Sequence, residues 1–497
     1  MFDSANLDHV VDKATWKKEE PVLREALLKA QLDLAAQKRF PVLVLVGGVE
    51  GAGKGEAVNK LLEWFDPRAV HVHAFGEPTD EERERPAMWR FWRGLPPRGR
   101  VGVFFGAWHT QPIVNRALGR TTEDGFENAI GDIVRFERML ADEGVLLLKF
   151  WFHLTRKQQK RRFKDLSSDP RTAWRVTDLE WKYHRSYDDF VPTAEQFLQR
   201  TSTGDAPWFV IPGADEHYRN LLFGKTLLAS MQERLAQGAP PVPVDRTPAF
   251  PEPVDAVNVI NTIDLKKKLS KAKFEKELEH WQGRLALLSR HKRFKKTSVV
   301  LVFEGADAAG KGGAIRRITG ALDARVYQGI PVAAPTEEER AQPYLWRFWR
   351  HMPGRGRFVM FDRSWYGRLL VERVEGFCSE SDWMRGYSEI VDFEQQMVDH
   401  GYIILKFWLQ ISQKEQLRRF KERERTAWKR FKITPEDWRN REKWDAYQGA
   451  VCDMIDRTST DAAPWKVIAA EDKNLARVTI LKTLVEAIEA RLDLSKG

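Results

Sequence analysis

Cysteine is nearly absent. Two residues, Cys378 and Cys452, among 497 exclude a disulfide framework and a thiolate metal site, and they fit a reducing compartment. Long apolar runs are missing as well, since no stretch reaches the roughly 20 residues of a membrane span. Nor does Met1-Phe-Asp-Ser-Ala-Asn-Leu-Asp-His9 put an apolar segment behind a basic one, as a secretory leader would. The expectation is a cytoplasmic protein without membrane attachment.

What is abundant is ordinary for a soluble globular chain: 42% hydrophobic and 31% charged residues, enough for two or more domains. The charge is lopsided, with a formal excess of +10. Such a surface suits an anionic partner: nucleic acid, an anionic membrane or a polyanionic substrate.

The chain repeats itself. Gly48, Gly53 and Lys54 lie 257 residues before Gly305, Gly310 and Lys311, and the same offset joins Trp89-Arg-Phe-Trp-Arg93 to Trp346-Arg-Phe-Trp-Arg350 and Arg200-Thr-Ser-Thr203 to Arg457-Thr-Ser-Thr460. A tandem duplication is the reading. Between the copies, Gly238–Pro253 is proline-rich and unable to form regular structure. The domains expected are 1–240, a linker at 241–257, and 258–497. Each copy reads as helix, strand with loop, helix, strand, helix, strand, basic helical segment, strand and terminal helix. In the first copy the opening helix is expected at Pro21–Gln37, with Val22, Leu23, Leu27, Leu28, Leu32 and Leu34 as its apolar stripe. Short apolar strands between helices predict an α/β fold of two tandem P-loop kinase-like three-layer α/β/α domains, with parallel sheets and a helical lid.

The chemistry concentrates in the second copy. Val299-Val-Leu-Val-Phe303 runs into Gly305-Ala-Asp-Ala-Ala-Gly-Lys-Gly-Gly313, and a strand, glycine turn and helix start gather backbone N–H groups around one point, where phosphates bind. Gly305, Ala308, Ala309, Gly310, Gly312 and Gly313 are the candidate cradle, with Lys311 as its mobile charge. The spacing is that of a Walker A loop, but Gly312 stands where the usual Ser or Thr would ligate magnesium. Another residue must hold that ion. Asp362, ending the apolar strand in Arg357-Phe-Val-Met-Phe-Asp-Arg-Ser-Trp-Tyr-Gly-Arg368, presents a carboxylate at the sheet edge where ligands bind, in Walker B fashion. Its other reading is a helix cap. Asp307 is the second acidic group expected at the metal, and Arg363 and Arg368 are placed to clamp phosphoryl oxygens.

Three further stretches complete the inventory. The basic run from Lys414 through Arg425 and on to Lys432 is either a solvated helix face or, given its place before the last strand, a lid over phosphates. Leu370–Phe377, with Glu372 and Arg373 as polar members, could read an acceptor nucleotide. Tyr344–Arg350 could stack on bases, but its recurrence in both copies favours packing with exposed arginines.

Taken together, the Gly305–Gly313 loop, Phe361–Arg368, Val371–Phe377 and the basic Arg418–Lys432 segment resemble the polyphosphate kinase 2 family. The duplicated arrangement resembles its two-domain members, which make ADP from AMP and inorganic polyphosphate. The resemblance implies Mg²⁺ as cofactor, with Asp362 as the main ligand and Asp307 helping to hold the ion and orienting the acceptor. It further implies Lys311, Arg363 and Arg368 on the transferring phosphate, and a polyphosphate channel lined from Arg418, Arg419, Lys421, Arg423 and Arg425. The first copy departs from this pattern: Asp307, Asp362, Arg363 and Arg368 fall on Glu50, Phe105, Gly106 and Gln111. That half is expected to be catalytically inactive. The rival readings are an ATP-dependent nucleotide kinase and a non-catalytic polyanion- or nucleic-acid-binding protein. A homo-oligomer without nucleic acid is the expected assembly.

Overall fold

A computed structural model describes residues 1–237 and 257–494. The connector expected over 241–257 lies, up to residue 256, outside the described residues. The chain forms two compact units. One takes the residues up to Pro78, the described chain from Arg90 onward and Pro335–Trp346; the other takes Thr79–Trp89, the described chain up to Ala334, and the residues from Arg347.

Each unit is built on a five-stranded, all-parallel sheet. In the first, β1 (Val42–Gly48), β2 (Val70–Ala74), β3 (Val101–Phe105), β4 (Leu146–His153) and β5 (Trp208–Pro212) run in the order β2-β3-β1-β4-β5. In the second, β6 (Ser298–Gly305), β7 (Tyr327–Pro331), β8 (Phe358–Asp362), β9 (Tyr402–Gln410) and β10 (Trp465–Ala469) repeat it as β7-β8-β6-β9-β10. The registers agree residue for residue: Val46 pairs with Phe105 as Phe303 pairs with Asp362. The central strands read as unbroken apolar runs because helices cover both faces. Val299 through Phe303 are fully buried, each stabilising the fold by about 1.5–3 kcal/mol. Val299, Leu301 and Phe303, on one face of the strand, pack with Ile318, Phe407, Ile480 and Leu484 into the core beneath the terminal helix Lys473–Arg491.

The fold differs from the expected one in two respects. Each sheet has a fifth strand, β2 or β7, at the edge. These strands are half-exposed and mix polar residues with apolar ones, so they carry no apolar run. The first helix spans Lys13–Gln37, capped by Asp12, whose carboxylate accepts from Ala14 and Thr15. It buries Leu23, Leu27, Ala30 and Leu34 and leaves Val22 and Leu32 exposed, a narrower stripe than the one expected. The Trp-Arg-Phe-Trp blocks are packing elements, with Trp92, Phe348 and Trp349 almost completely buried. One polar group is buried the same way in both sheets: Lys149 meets Glu137 at 2.6 Å and Lys406 meets Glu394 at 2.7 Å, all four side chains essentially inaccessible. Removing one partner of such a pair typically costs about 3–5 kcal/mol.

Candidate active site

β6 ends in a turn that only certain residues can make. Gly305 has φ 148°, and a Cβ there would lie 2.7 Å from the Leu409 carbonyl oxygen. Gly310 opens the helix Lys311–Thr319 with φ 119°. From the first helical position the Lys311 ammonium folds back to donate to the Gly305 carbonyl at 2.6 Å. At Gly312 an added Cβ would lie 3.6 Å from Asp362 Oδ2. The carboxylate of β8 therefore stands beside the position that lacks the Walker hydroxyl. Asp362 has no salt bridge or side-chain hydrogen bond among the described residues, which leaves its oxygens available to a hard cation.

Asp307 is in a different state. Its oxygens accept from Arg363 Nη2 at 2.8 Å and Asn440 Nδ2 at 2.9 Å. Burial alone would raise its carboxyl, but Lys311 and Arg363, with these hydrogen bonds, outweigh burial and hold it below the usual carboxylate range. Arg363 makes this contact from a left-handed backbone position, φ 64°, a conformation costing a side-chain-bearing residue about 1–2 kcal/mol. Ala308 in the loop shares that φ. Below the pair, Ser364 donates to the buried Glu304 at 2.8 Å. Asp307 and Arg363 face a cavity of about 90 Å³ lined by Leu370, Trp408, Trp444 and Tyr447. A charged floor beneath apolar and aromatic walls can seat a flat ring with an anionic tail.

Several of the expected site residues lie elsewhere. Arg368 pairs with Glu372 at 3.1 Å and Asp382 at 3.8 Å, while Arg373 pairs with Asp453 at 2.7 Å and donates to the Tyr387 hydroxyl. None of the three lines the cavity; from the same segment Leu370 and Val371 do. The basic run forms the helix Gln413–Arg425, and its members divide. Arg419 is buried, and all five of its N–H groups are engaged: with Glu415, and with the carbonyls of Ala308, Ala309, Ala470 and Glu471 at 2.7–3.0 Å. It braces the phosphate loop and has no donor left for a ligand, contrary to its expected place in a channel. Arg418 is tied to Glu415 and Glu422, and Arg423 donates to the Lys432 carbonyl. Lys421 and Arg425 are exposed and carry no salt bridge among the described residues.

Three cations were not legible as site residues. A Cβ at Gly313 would lie 3.3 Å from Arg477 Nη2, and Arg317 Nη1 donates to the Gly313 carbonyl. Burial, then Arg317 and Arg419, depress the Arg477 guanidinium, and burial, then Arg419, depresses Lys473. None of Arg317, Lys473 and Arg477 has a salt bridge among the described residues. Positive charge thus accumulates beside the helix start; Asp472 and Glu422 offset Arg477 and Lys473 in part, without a salt bridge to them among the described residues.

In the N-terminal unit the same place carries its own anion. Glu56 occupies the position of Gly313 and receives Arg162 at 2.8 Å, Arg175 at 3.0 Å and Arg219 at 3.2 Å. Lys54 is bound to the carbonyls of Gly48 and Val49 and to Glu50 at 3.1 Å. Phe105 stands in the register of Asp362, and the left-handed positions of Ala308 and Arg363 are taken by Gly51 and Gly106.

A parallel sheet with a glycine loop and lysine after its central strand, a carboxylate ending the neighbouring strand and a basic helix bracing the loop define a P-loop kinase-like phosphate-binding protein. The polyphosphate kinase 2 (PPK2) family model matches residues 10–238 and 268–495. The chain is 54% identical over 99% of both chains to a polyphosphate:AMP phosphotransferase of Pseudomonas aeruginosa, and 51% identical over 98% of both to one of Pseudomonas syringae. A solved structure from Pseudomonas aeruginosa, described as a polyphosphate kinase 2, superposes with a TM-score of 0.89 at 52% identity, covering 100% of both chains. The chain belongs to the polyphosphate kinase 2 family, as a tandem member with two copies of the domain.

Proposed function

We propose that the C-terminal half moves the terminal phosphate of inorganic polyphosphate to AMP, giving ADP and a polyphosphate shorter by one unit. The observation that carries this reading is the contrast at the helix start: Arg317 and Arg477 lie against Gly313 with no salt bridge among the described residues, whereas Glu56 fills the same place in the other half and binds three arginines. A cluster of cations without ion-pair partners beside a phosphate loop suits a donor that is itself a polyanion. The relatives' activity, polyphosphate:AMP phosphotransfer, agrees with it.

An AMP phosphate oxygen attacks the terminal phosphorus as the bond to the next bridging oxygen breaks, and the shortened chain leaves with that oxygen. The acceptor is already ionised near neutral pH, so no strong base is required and positioning dominates. Leu370, Trp408 and Trp444 would hold the base of AMP. Asp307 fixes Arg363, which with Lys311 neutralises the transferring group. The free carboxylate of Asp362 beside Gly312 fits magnesium, with Asp307 behind it; bound there, the ion would offset charge on phosphoryl oxygens. In this reading Arg368, Glu372 and Arg373 shape the acceptor wall through their ion pairs, and Lys421 and Arg425 are the lid cations free to meet the donor.

Incubating the purified chain with AMP, Mg²⁺ and either polyphosphate or ATP tests the donor. ADP should accumulate with polyphosphate, and phosphorylation of AMP with ATP alone would overturn the reading. Asp362→Asn should remove nearly all turnover, whereas a non-catalytic binder would be indifferent to it.

A further inference from the structure

The N-terminal unit keeps a cavity of about 220 Å³ where its counterpart has about 90 Å³. The two are the same place in the fold: Trp151, Gln159, Tyr187, Phe190 and Ile113 line the first at the positions where Trp408, Gln416, Trp444, Tyr447 and Leu370 line the second. What has changed is the charge. Gly106 replaces Arg363, Phe105 replaces Asp362, and Lys54 is neutralised by Glu50 at 3.1 Å. The walls stay aromatic, with Trp151 stacked near Phe190 at 6.1 Å.

Two polar groups on the wall are left over, the indole N–H of Trp151 and the ring of His109. His109 is 1% exposed, lines the cavity, and neither ring nitrogen has a hydrogen-bond partner. The reason lies in its counterpart. Tyr366 reaches Glu394 with its hydroxyl at 2.8 Å and accepts from Lys406 at 2.9 Å. The shorter imidazole takes no part in the equivalent network, which closes through Lys149, Glu137, Trp108 and the Thr201 carbonyl. A buried donor and acceptor without partners are costly, and they call for a ligand to satisfy them.

We propose that this cavity binds an uncharged purine, as free base or nucleoside, stacked among Phe105, Trp151, Tyr187 and Phe190 with its polar edge on His109. The aromatic walls suit a flat heterocycle, the volume is below that of drug-sized sites and matches a small ligand, and a neutral imidazole can make one hydrogen bond to the polar edge of a purine, as donor or as acceptor. The loss of Arg363 and Asp362 equivalents, with Glu56 filling the anion position, disfavours a phosphate on the ligand. The choice of purine rests on reading the C-terminal cavity as the AMP site.

The test is calorimetric titration of the full chain with adenosine, and separately with adenine, with AMP saturating the C-terminal site. One equivalent of adenosine or adenine should bind under these conditions. Ile113→Phe, which fills the cavity, and His109→Phe, which has the ring shape of Tyr366, should each weaken binding at least tenfold while leaving polyphosphate-dependent AMP phosphorylation unchanged. Absence of binding in the presence of AMP, or binding unaltered in both variants, overturns the proposal. The reading of the C-terminal half stands or falls separately, on ADP formation by the unaltered chain.

Discussion

Arg363 holds Asp307 from a strained position: its guanidinium lies 2.8 Å from Asp307 Oδ1 while its backbone φ is 64°. The equivalent residue in the other unit, Gly106, has φ 68° and no side chain to place. Strain kept in one copy and relieved by glycine in the other is the pattern expected where the proposed role of Arg363 requires its side chain.

Arg363→Gly should therefore separate folding from chemistry. Glycine relieves about 1 kcal/mol of backbone strain, which offsets the lost ion pair, so denaturant unfolding should stay within about 1 kcal/mol of wild type. Turnover should fall by roughly 10²–10³-fold, the usual effect of removing one donor to a transition-state oxyanion. An unfolded variant, or one with near-normal turnover, would contradict this assignment.

The two loop lysines make an internal control. Lys311→Ala should abolish ADP formation. Lys54→Ala should leave the rate within about twofold of wild type, because Lys54 already binds Gly48, Val49 and Glu50. Comparable losses in initial rate would show that both halves catalyse.

Glu56→Gln should leave Arg162, Arg175 and Arg219 repelling one another around a neutral amide. Its melting temperature should drop in phosphate-free buffer and recover on adding inorganic phosphate, which would take the vacated anion position. Wild type, with Glu56 in place, should show the smaller phosphate response.

His109 predicts an acid sensitivity with a definite sign. Burial, then the charges of Lys149 and Lys54, push its imidazole down to about 3. The unfolded chain, with histidine near 6.5, binds the proton that the folded chain refuses, so stability is full above that value and is lost as pH falls towards 3. Urea titrations of wild type and His109→Phe should diverge between pH 6 and 4, wild type losing about 1.4 kcal/mol per pH unit more. Parallel curves would mean that the imidazole is solvated in the folded state.

The backbone of the site was readable from the sequence because loops and strand ends leave local signatures. Gly305, Gly310 and Lys311 stand where the motif puts them, and Asp362 ends its strand beside Gly312. Side-chain partners were harder, since they depend on what folds across from them. Arg419 looks like any other member of a basic run until the carbonyls of Ala308 and Ala470 are found around it. Glu372 and Arg373 lie next to the cavity in sequence, yet the helix Val371–Glu375 directs them to Arg368 and Asp453. Trp444 and Tyr447 come from a helix far along the chain, and the aromatic residues Tyr187 and Phe190 stand at the same positions of the repeat. The edge strands β2 and β7 escaped because half-exposed strands carry no apolar run.

The matching registers of the two sheets have a practical consequence. The second glycine loop, the strand that should carry a metal carboxylate and the braced helix start are all already folded in the N-terminal unit, so a protein engineer need not move any backbone there. Phe105→Asp, Gly106→Arg, Glu50→Asp and Glu56→Gly would retrofit the same charges onto a ready-made chassis. If the N-terminal unit is silent as proposed, activity gained by that fourfold variant would show that its backbone was never the obstacle.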